Sequence, residues 1–343
     1  MKERENNIDL LRIICAIMVI ALHTGAIYGK NISGEYPRYY FTIGNFYHSV
    51  TRTAVPIFIM LSGSFLLKNV NNMNYRYYYK KISKNIILPT LIFSFLYVLA
   101  SLVLEFLLSN KNGIPFNLSE PFINWIQGTP FYHMWYMYMM IGFYAITPIL
   151  IKIRLIIEDE KFEVIGWICM IFGMLFNLLS VQLIWPIQFI PYLGYFILGY
   201  SLKNKIRKKS YISYLILTVI LLLSIFIITE FSVRYNLLKN NFYFIQPLSP
   251  LVILSSIFMY IAFLNMRNLM IRPSKIAYHT FNIYLLHAGV LATINMIIRR
   301  IFNKYPNPIW YIPILIIIVF NISYRISISI NKIIEKFKIK KYN

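Results

Sequence analysis

Asp9, Arg12 and His23 lie inside the apolar run Ile8–Tyr28, IDLLRIICAIMVIALHTGAIY, which at about 20 residues is long enough to cross a bilayer as one helix. At about 100° per residue, Arg12 and His23 fall within about 20° of each other around that helix, with Ala16 and Val19 between them, and the rise separates them by roughly 16 Å. One stripe therefore carries a guanidinium and an imidazole that cannot bond each other but can hold two ends of an extended ligand. Insertion scales put a charge at mid-membrane at about 2.5–3.5 kcal/mol, which makes an intramembrane ionisable residue a functional candidate. Two structural alternatives stand beside that reading. Arg12 near a helix end can snorkel to the surface as a topogenic charge, and a membrane histidine can serve a neighbouring helix as a hydrogen-bond partner.

Three further stretches hold polar groups in apolar surroundings. Arg52 precedes Pro56 and the small segment Ser62–Ser64 in TRTAVPIFIMLSGSFLLK, where small residues suit close helix packing or a helix that unwinds around a ligand. HMWYMYMMIGFYAITPIL places His133, Trp135, Tyr136 and Tyr138 at one end of a span, the position of an interfacial aromatic belt. KIAYHTFNIYLLHAGVL puts Thr280, Tyr284 and His287 on one helical face, as either interhelical hydrogen bonding or a site would require. Neither HExxH nor any helical pairing of histidines with acids occurs, which disfavours metal catalysis. A GxSxG elbow and a GxxxxGK[ST] phosphate loop are also missing.

The elements that must position these residues are membrane helices. Hydrophobic residues make up 58% of the chain and the mean hydropathy is +0.60, against roughly 45–50% apolar in soluble domains. Apolar windows give ten spans, at 8–28, 49–68, 86–108, 131–151, 164–181, 185–202, 211–230, 248–265, 276–298 and 309–331. The short connection near Gln182 leaves either the fifth or the sixth open to being a re-entrant piece. The net charge of +22 sits in short clusters between apolar runs, a pattern of loops at a lipid surface and not of a nucleic-acid binder. Most Lys and Arg fall on one side when both termini are placed in the cytoplasm. The expected fold class is thus an all-α polytopic integral membrane protein of about ten transmembrane helices with cytoplasmic termini, a single domain over residues 1–343 with no appended soluble domain. The longest connections, 30–48, 109–130, 231–247 and 299–308, fall outside and read mainly as aromatic anchors. Cys15 and Cys169 lie in apolar runs without metal-ligand spacing, and no small-residue cleavage site follows the N-terminal run.

IDLLRIICAIMVIALHT resembles the first helix of the membrane-bound acyltransferase-3 family of bacterial O-acyltransferases, including an Arg and a His separated by ten residues, here Arg12 and His23. VPIFIMLSGSFLL, HMWYMYMMIGFYAITPIL and TFNIYLLH are similar to further family segments and follow in the family's order, with Asn282 where a Gly is usual and Ser64 where an aromatic is common.

The resemblance implies transfer of an acyl group, usually acetyl from acetyl-CoA, to a hydroxyl of a cell-surface or exported glycan, at the bacterial cytoplasmic membrane and without a metal. Combined with the helix geometry, it makes His23 the general base or transient acyl carrier and Arg12 the contact for CoA phosphates. Arg52 and His287 fall to the acceptor side or the cavity wall, and Tyr138 offers a hydroxyl. The partners expected are membrane lipid, acyl-CoA and a glycan acceptor. The rival class is a transporter or flippase for a glycan or small solute, which also lines a cavity with charges.

Overall fold

A computed structural model describes residues 5–29, 36–112, 117–181, 183–205, 210–266 and 272–340. The basic residues Lys2, Arg4, Lys30, Arg207, Lys208, Lys209, Arg267 and Lys341, which bear on orientation, and Gln182 lie outside the described residues. Within them the chain is helical, with no strand: α1 (Asn6–Gly29), α2 (Arg38–Val50), α3 (Ala54–Leu66), α4 (Tyr75–Ile82), α5 (Leu88–Asn112), α6 (Ser119–Ile126), α7 (Trp135–Ile156), α8 (Asp159–Leu178), α9 (Leu193–Asn204), α10 (Tyr211–Tyr235), α11 (Pro250–Asn265), α12 (Ser274–Ala277), α13 (Thr280–Phe302) and α14 (Pro308–Lys340). Nine segments among the described residues are long and apolar enough to cross a membrane. Large apolar side chains point outward along them, for example Leu91, Ile92, Phe95, Leu99 and Val103 on α5. An outward apolar surface of that extent is stable against lipid and not against water.

The backbone breaks follow from proline chemistry. Pro56 sits in the first turn of α3, where its missing N–H leaves no helical bond unmade, so α3 restarts after the turn at residues 51–53. Ahead of Pro89 the chain widens into a π turn over Ser83–Ile87, and the Leu88 N–H bonds the Ser83 carbonyl. Two expectations change. The connection 30–48 is largely the helix α2, whose polar positions recur at helical spacing. The sixth span, expected at 185–202, is instead a 3-10 turn at Ile190–Tyr192 and the 12-residue α9; Pro186 and Pro191 stop the helix from extending backwards. At roughly 18 Å, α9 is shorter than a hydrocarbon core of about 30 Å.

The contacts divide the chain into two compact units, 1–58 with 206–343, and 59–205. In the first, α1 packs on α2, α11, α12, α13 and α14. Ile20 and Tyr28 of α1 share a core with Ile283 and Leu291 of α13 and Tyr311, Ile312, Leu315 and Val319 of α14. The crossing of α1 and α2 is close at Gly25, where a Cβ would lie 2.9 Å from the Gly44 carbonyl oxygen. α2 is held on its other side by α10: Thr42 Oγ1 and Asn45 Nδ2 donate to the Glu230 carboxylate at 2.9 and 3.1 Å, and Ser49 donates to Asn45 Oδ1 at 3.0 Å.

In the second unit α9 is buried on nearly all its surface, with Phe196 stacked on Phe143 of α7 at 4.7 Å between ring centroids. α3 meets α9 backbone to backbone. A Cβ at Gly63 would lie 1.8 Å from the Phe196 carbonyl oxygen, so the small segment Ser62–Ser64 serves close packing. Gly63→Ala should therefore lower stability by at least about 1–3 kcal/mol, the usual cost of overpacking. This is read as a lower thermal midpoint in detergent. Gly29→Ala, whose Cβ meets nothing within 4 Å, is the control, and equal midpoints for both variants would contradict the α3–α9 contact.

Candidate active site

The first unit brings together three of the residues singled out by sequence. α1 supplies His23 and α13 supplies His287, and their rings stack with centroids 5.4 Å apart and planes inclined by 27°. His287 is fully buried, and its Nδ1 lies 2.6 Å from the Tyr284 carbonyl oxygen. A carbonyl only accepts, so Nδ1 carries the proton and Nε2 keeps its lone pair. Tyr284 lies on the same face as Thr280 and His287, and all three are buried, as their spacing predicts.

Arg52 comes from the turn between α2 and α3, and its charge is within electrostatic range of His23. One guanidinium nitrogen, Nη2, lies 2.5 Å from His48 Nε2 and 3.2 Å from His48 Nδ1. His48 was missed at the level of sequence, although its spacing of four from Arg52 was a signal. A search for histidines beside acids does not find a histidine beside a cation. The position of both residues depends on α2, hence on the Glu230 contacts at the other side of that helix.

Arg12 stands on the same uninterrupted helix as His23, roughly 16 Å away along the axis. Its Nη1 lies 3.4 Å from Oδ1 of Asp9, whose side chain is 3% exposed against 30% for Arg12. Asp9 thus balances the arginine and orients it while leaving part of it open. Tyr138 belongs to the second unit, where its hydroxyl donates to Ser94 Oγ at 3.2 Å and its ring meets Trp185 edge to face at 5.4 Å. His133 in the same unit is fully buried and packed edge-on against Tyr97 at 5.1 Å and Phe131 at 5.8 Å.

Two stacked imidazoles beside a guanidinium, on helices that face lipid elsewhere, form a proton-accepting centre with a fixed positive charge next to it. The profile of an acyltransferase domain, acyltransferase-3, matches residues 5–328 and so takes in every one of these residues. The chain belongs to the acyltransferase-3 family. With its apolar helices, membership makes it a multi-pass membrane protein. The chain is also similar to an amino-acid racemase of Enterococcus faecalis, 33% identical over 140 residues, which are 40% of this chain and 18% of that protein. The chain thus spans less than a fifth of that relative's length, and the activity in its name stays with the relative. No solved structure matches the chain.

The His287 tautomer is directly measurable in this acyltransferase-3 protein. With ¹⁵N-labelled histidine, the His287 signals, identified by their loss in His287→Asn, should show a protonated Nδ1 and an unprotonated Nε2 at neutral pH. A protonated Nε2 with a bare Nδ1 would rule out the bond to Tyr284.

Proposed function

We propose that this chain is a membrane O-acyltransferase that moves an acyl group, acetyl from acetyl-CoA, to a hydroxyl of a cell-surface or exported polysaccharide in a bacterial cytoplasmic membrane. The observation that carries the reading is the grouping of His23, His287 and Arg52 within a chain of the acyltransferase-3 family. In the reaction, His23 takes the proton of the acceptor hydroxyl as its oxygen forms a bond to the thioester carbonyl carbon. The carbonyl oxygen gains negative charge, which Arg52 is placed to stabilise. The carbon–sulfur bond then breaks and the leaving thiolate takes the proton back from His23, giving the ester and free CoA with no net change at the protein. His287 supports the His23 ring by stacking. Arg12, set by Asp9 nearer the cytoplasmic end, meets the phosphates of the donor with a guanidinium fork suited to them. The roughly 16 Å between Arg12 and His23 is a distance that the extended arm between phosphate and thioester covers. No step is assigned to Tyr138, whose hydroxyl donates to Ser94.

His23→Gln tests this reading, since glutamine keeps polarity and approximate size but accepts no proton at neutral pH. Base catalysis is typically worth about 10² to 10⁴ in rate, so the acyl content per sugar repeat, measured by mass spectrometry, should fall to background while the variant still inserts. Retention of a few tens of per cent of the acyl content would give His23 a structural role. Reduced export of the glycan with unchanged acyl content per repeat would favour the transporter.

A further inference from the structure

At the end of the first unit that holds the start of α1, the helices α12, α13 and α14 leave an open groove of about 380 Å³ lined by Ser274, Lys275, Tyr278, His279 and Tyr324. Its size falls within the range of small-molecule clefts, about 300–1,000 Å³. None of these residues belongs to the centre built around His23. Their chemistry is nonetheless specific: one exposed ammonium, one hydroxyl, two phenol rings and an imidazole whose orientation is fixed.

The imidazole is fixed by α14. His279 Nδ1 lies 2.8 Å from Ser327 Oγ and 3.4 Å from Asn331 Nδ2, and Asn331 Oδ1 in turn accepts from Asn282 Nδ2 at 3.4 Å. An amide nitrogen only donates, so Nδ1 is the acceptor and the proton sits on Nε2. With Nδ1 accepting, the ring is neutral, so His279 is a neutral donor through Nε2 and Lys275 supplies the positive charge. Tyr278 and Tyr324 meet the imidazole edge to face, each at 5.2 Å, which leaves flat aromatic surface beside the two donors. A lysine with a neutral N–H donor recognises a phosphate ester, and tyrosine faces accept a planar base.

The groove lies at the right end of the molecule for the donor. Asn7, at the start of α1, donates to the Phe263 carbonyl near the end of α11 at 2.7 Å, and α12 packs on α1, so the groove and Arg12 share one end of the unit. His279 and His287 are eight residues apart in the chain, roughly 12 Å along the helix axis. Lys275 and Arg272 also lie on the side that the basic residues assign to the cytoplasm.

We infer that this groove holds the phosphorylated nucleoside end of the acyl donor, with the base against Tyr278 and Tyr324 and the ribose phosphate on Lys275 and His279 Nε2–H, an assignment that rests on the acyl-transfer reading of the centre around His23. Arg12 is then left for the diphosphate, and the thioester arm runs from there toward the imidazole pair.

The test uses the full chain in nanodiscs of phosphatidylcholine, with adenosine 3′,5′-bisphosphate as the probe and calorimetry as the readout. Binding should be saturable and weaken about tenfold in Lys275→Gln and in Tyr324→Leu, as loss of a charge-assisted bond or a stacking face requires. Glycan acylation by the same proteins is measured in parallel. Acylation with bisphosphate binding unchanged in both variants would overturn the groove assignment and leave acyl transfer standing. Saturable, Lys275-dependent binding by a protein that acylates no glycan would support the groove for the nucleotide while sinking the acyl-transfer reading. An anionic lipid headgroup is the competing source of phosphate. No bisphosphate binding, together with phosphatidylglycerol retained in native mass spectra of the wild type and lost in Lys275→Gln, would assign the groove to lipid and overturn the inference.

Discussion

Within a bilayer a polar side chain has no water to return to, so the protein itself must satisfy it. α1 carries Asp9, Arg12 and His23 under that constraint, and the first unit is arranged to meet it. Asp9 and Arg12 balance each other one turn apart, which spares the helix two isolated charges. His23 is met by the ring of His287 from another helix, and Asn7 by a carbonyl of a third. A helix with such obligations cannot lie at the lipid surface, and α1 accordingly packs on five others.

The same constraint explains α2. Arg38, Thr42, Asn45 and Ser49 recur at intervals of four, three and four and so form one polar stripe. Glu230 of α10 answers that stripe with both carboxylate oxygens, at 2.9 Å to Thr42, 3.1 Å to Asn45 and 3.9 Å to Arg38. The opposite side of α2 meets α1 across Gly25 and Gly44. With α2 held from both sides, its last turn and the turn after it have one position, and these carry His48 and Arg52. An acidic residue remote from the imidazole pair thus fixes where the guanidinium beside that pair comes to rest.

The long apolar spans, the polar stripe of α1 and the shared face of Thr280, Tyr284 and His287 were all legible in the sequence, because each depends on composition or period within one helix. α2 was not legible as a helix, since its Tyr, Asn and His content lowers hydropathy while keeping the helical period. The shortening of the sixth span follows from Pro186 and Pro191, whose effect a hydropathy window averages away. The pairing of His48 with Arg52, and that of His279 with Ser327, required different information. The first needs the course of the chain through the turn at residues 51–53, and the second the register of α13 against α14, which neither helix states alone.

That register is also what the imidazole pair depends on. A slip of one residue would rotate α13 by about 100° and carry His287 off the face that meets α1. Apolar packing alone tolerates such shifts poorly but does not forbid them, whereas a directional bond does. α13 has such bonds to α14 on both sides of His287: His279 with Ser327 at 2.8 Å and Asn282 with Asn331 at 3.4 Å before it, and Asn295, which accepts from the Tyr311 hydroxyl at 2.8 Å, after it. His279 and Asn295 each stand eight residues from His287, so the imidazole lies midway between two fixed points. Asn282, one turn after His279, adds a further polar tie to α14 through Asn331. The arrangement of α13 therefore places the histidine through contacts that never touch it.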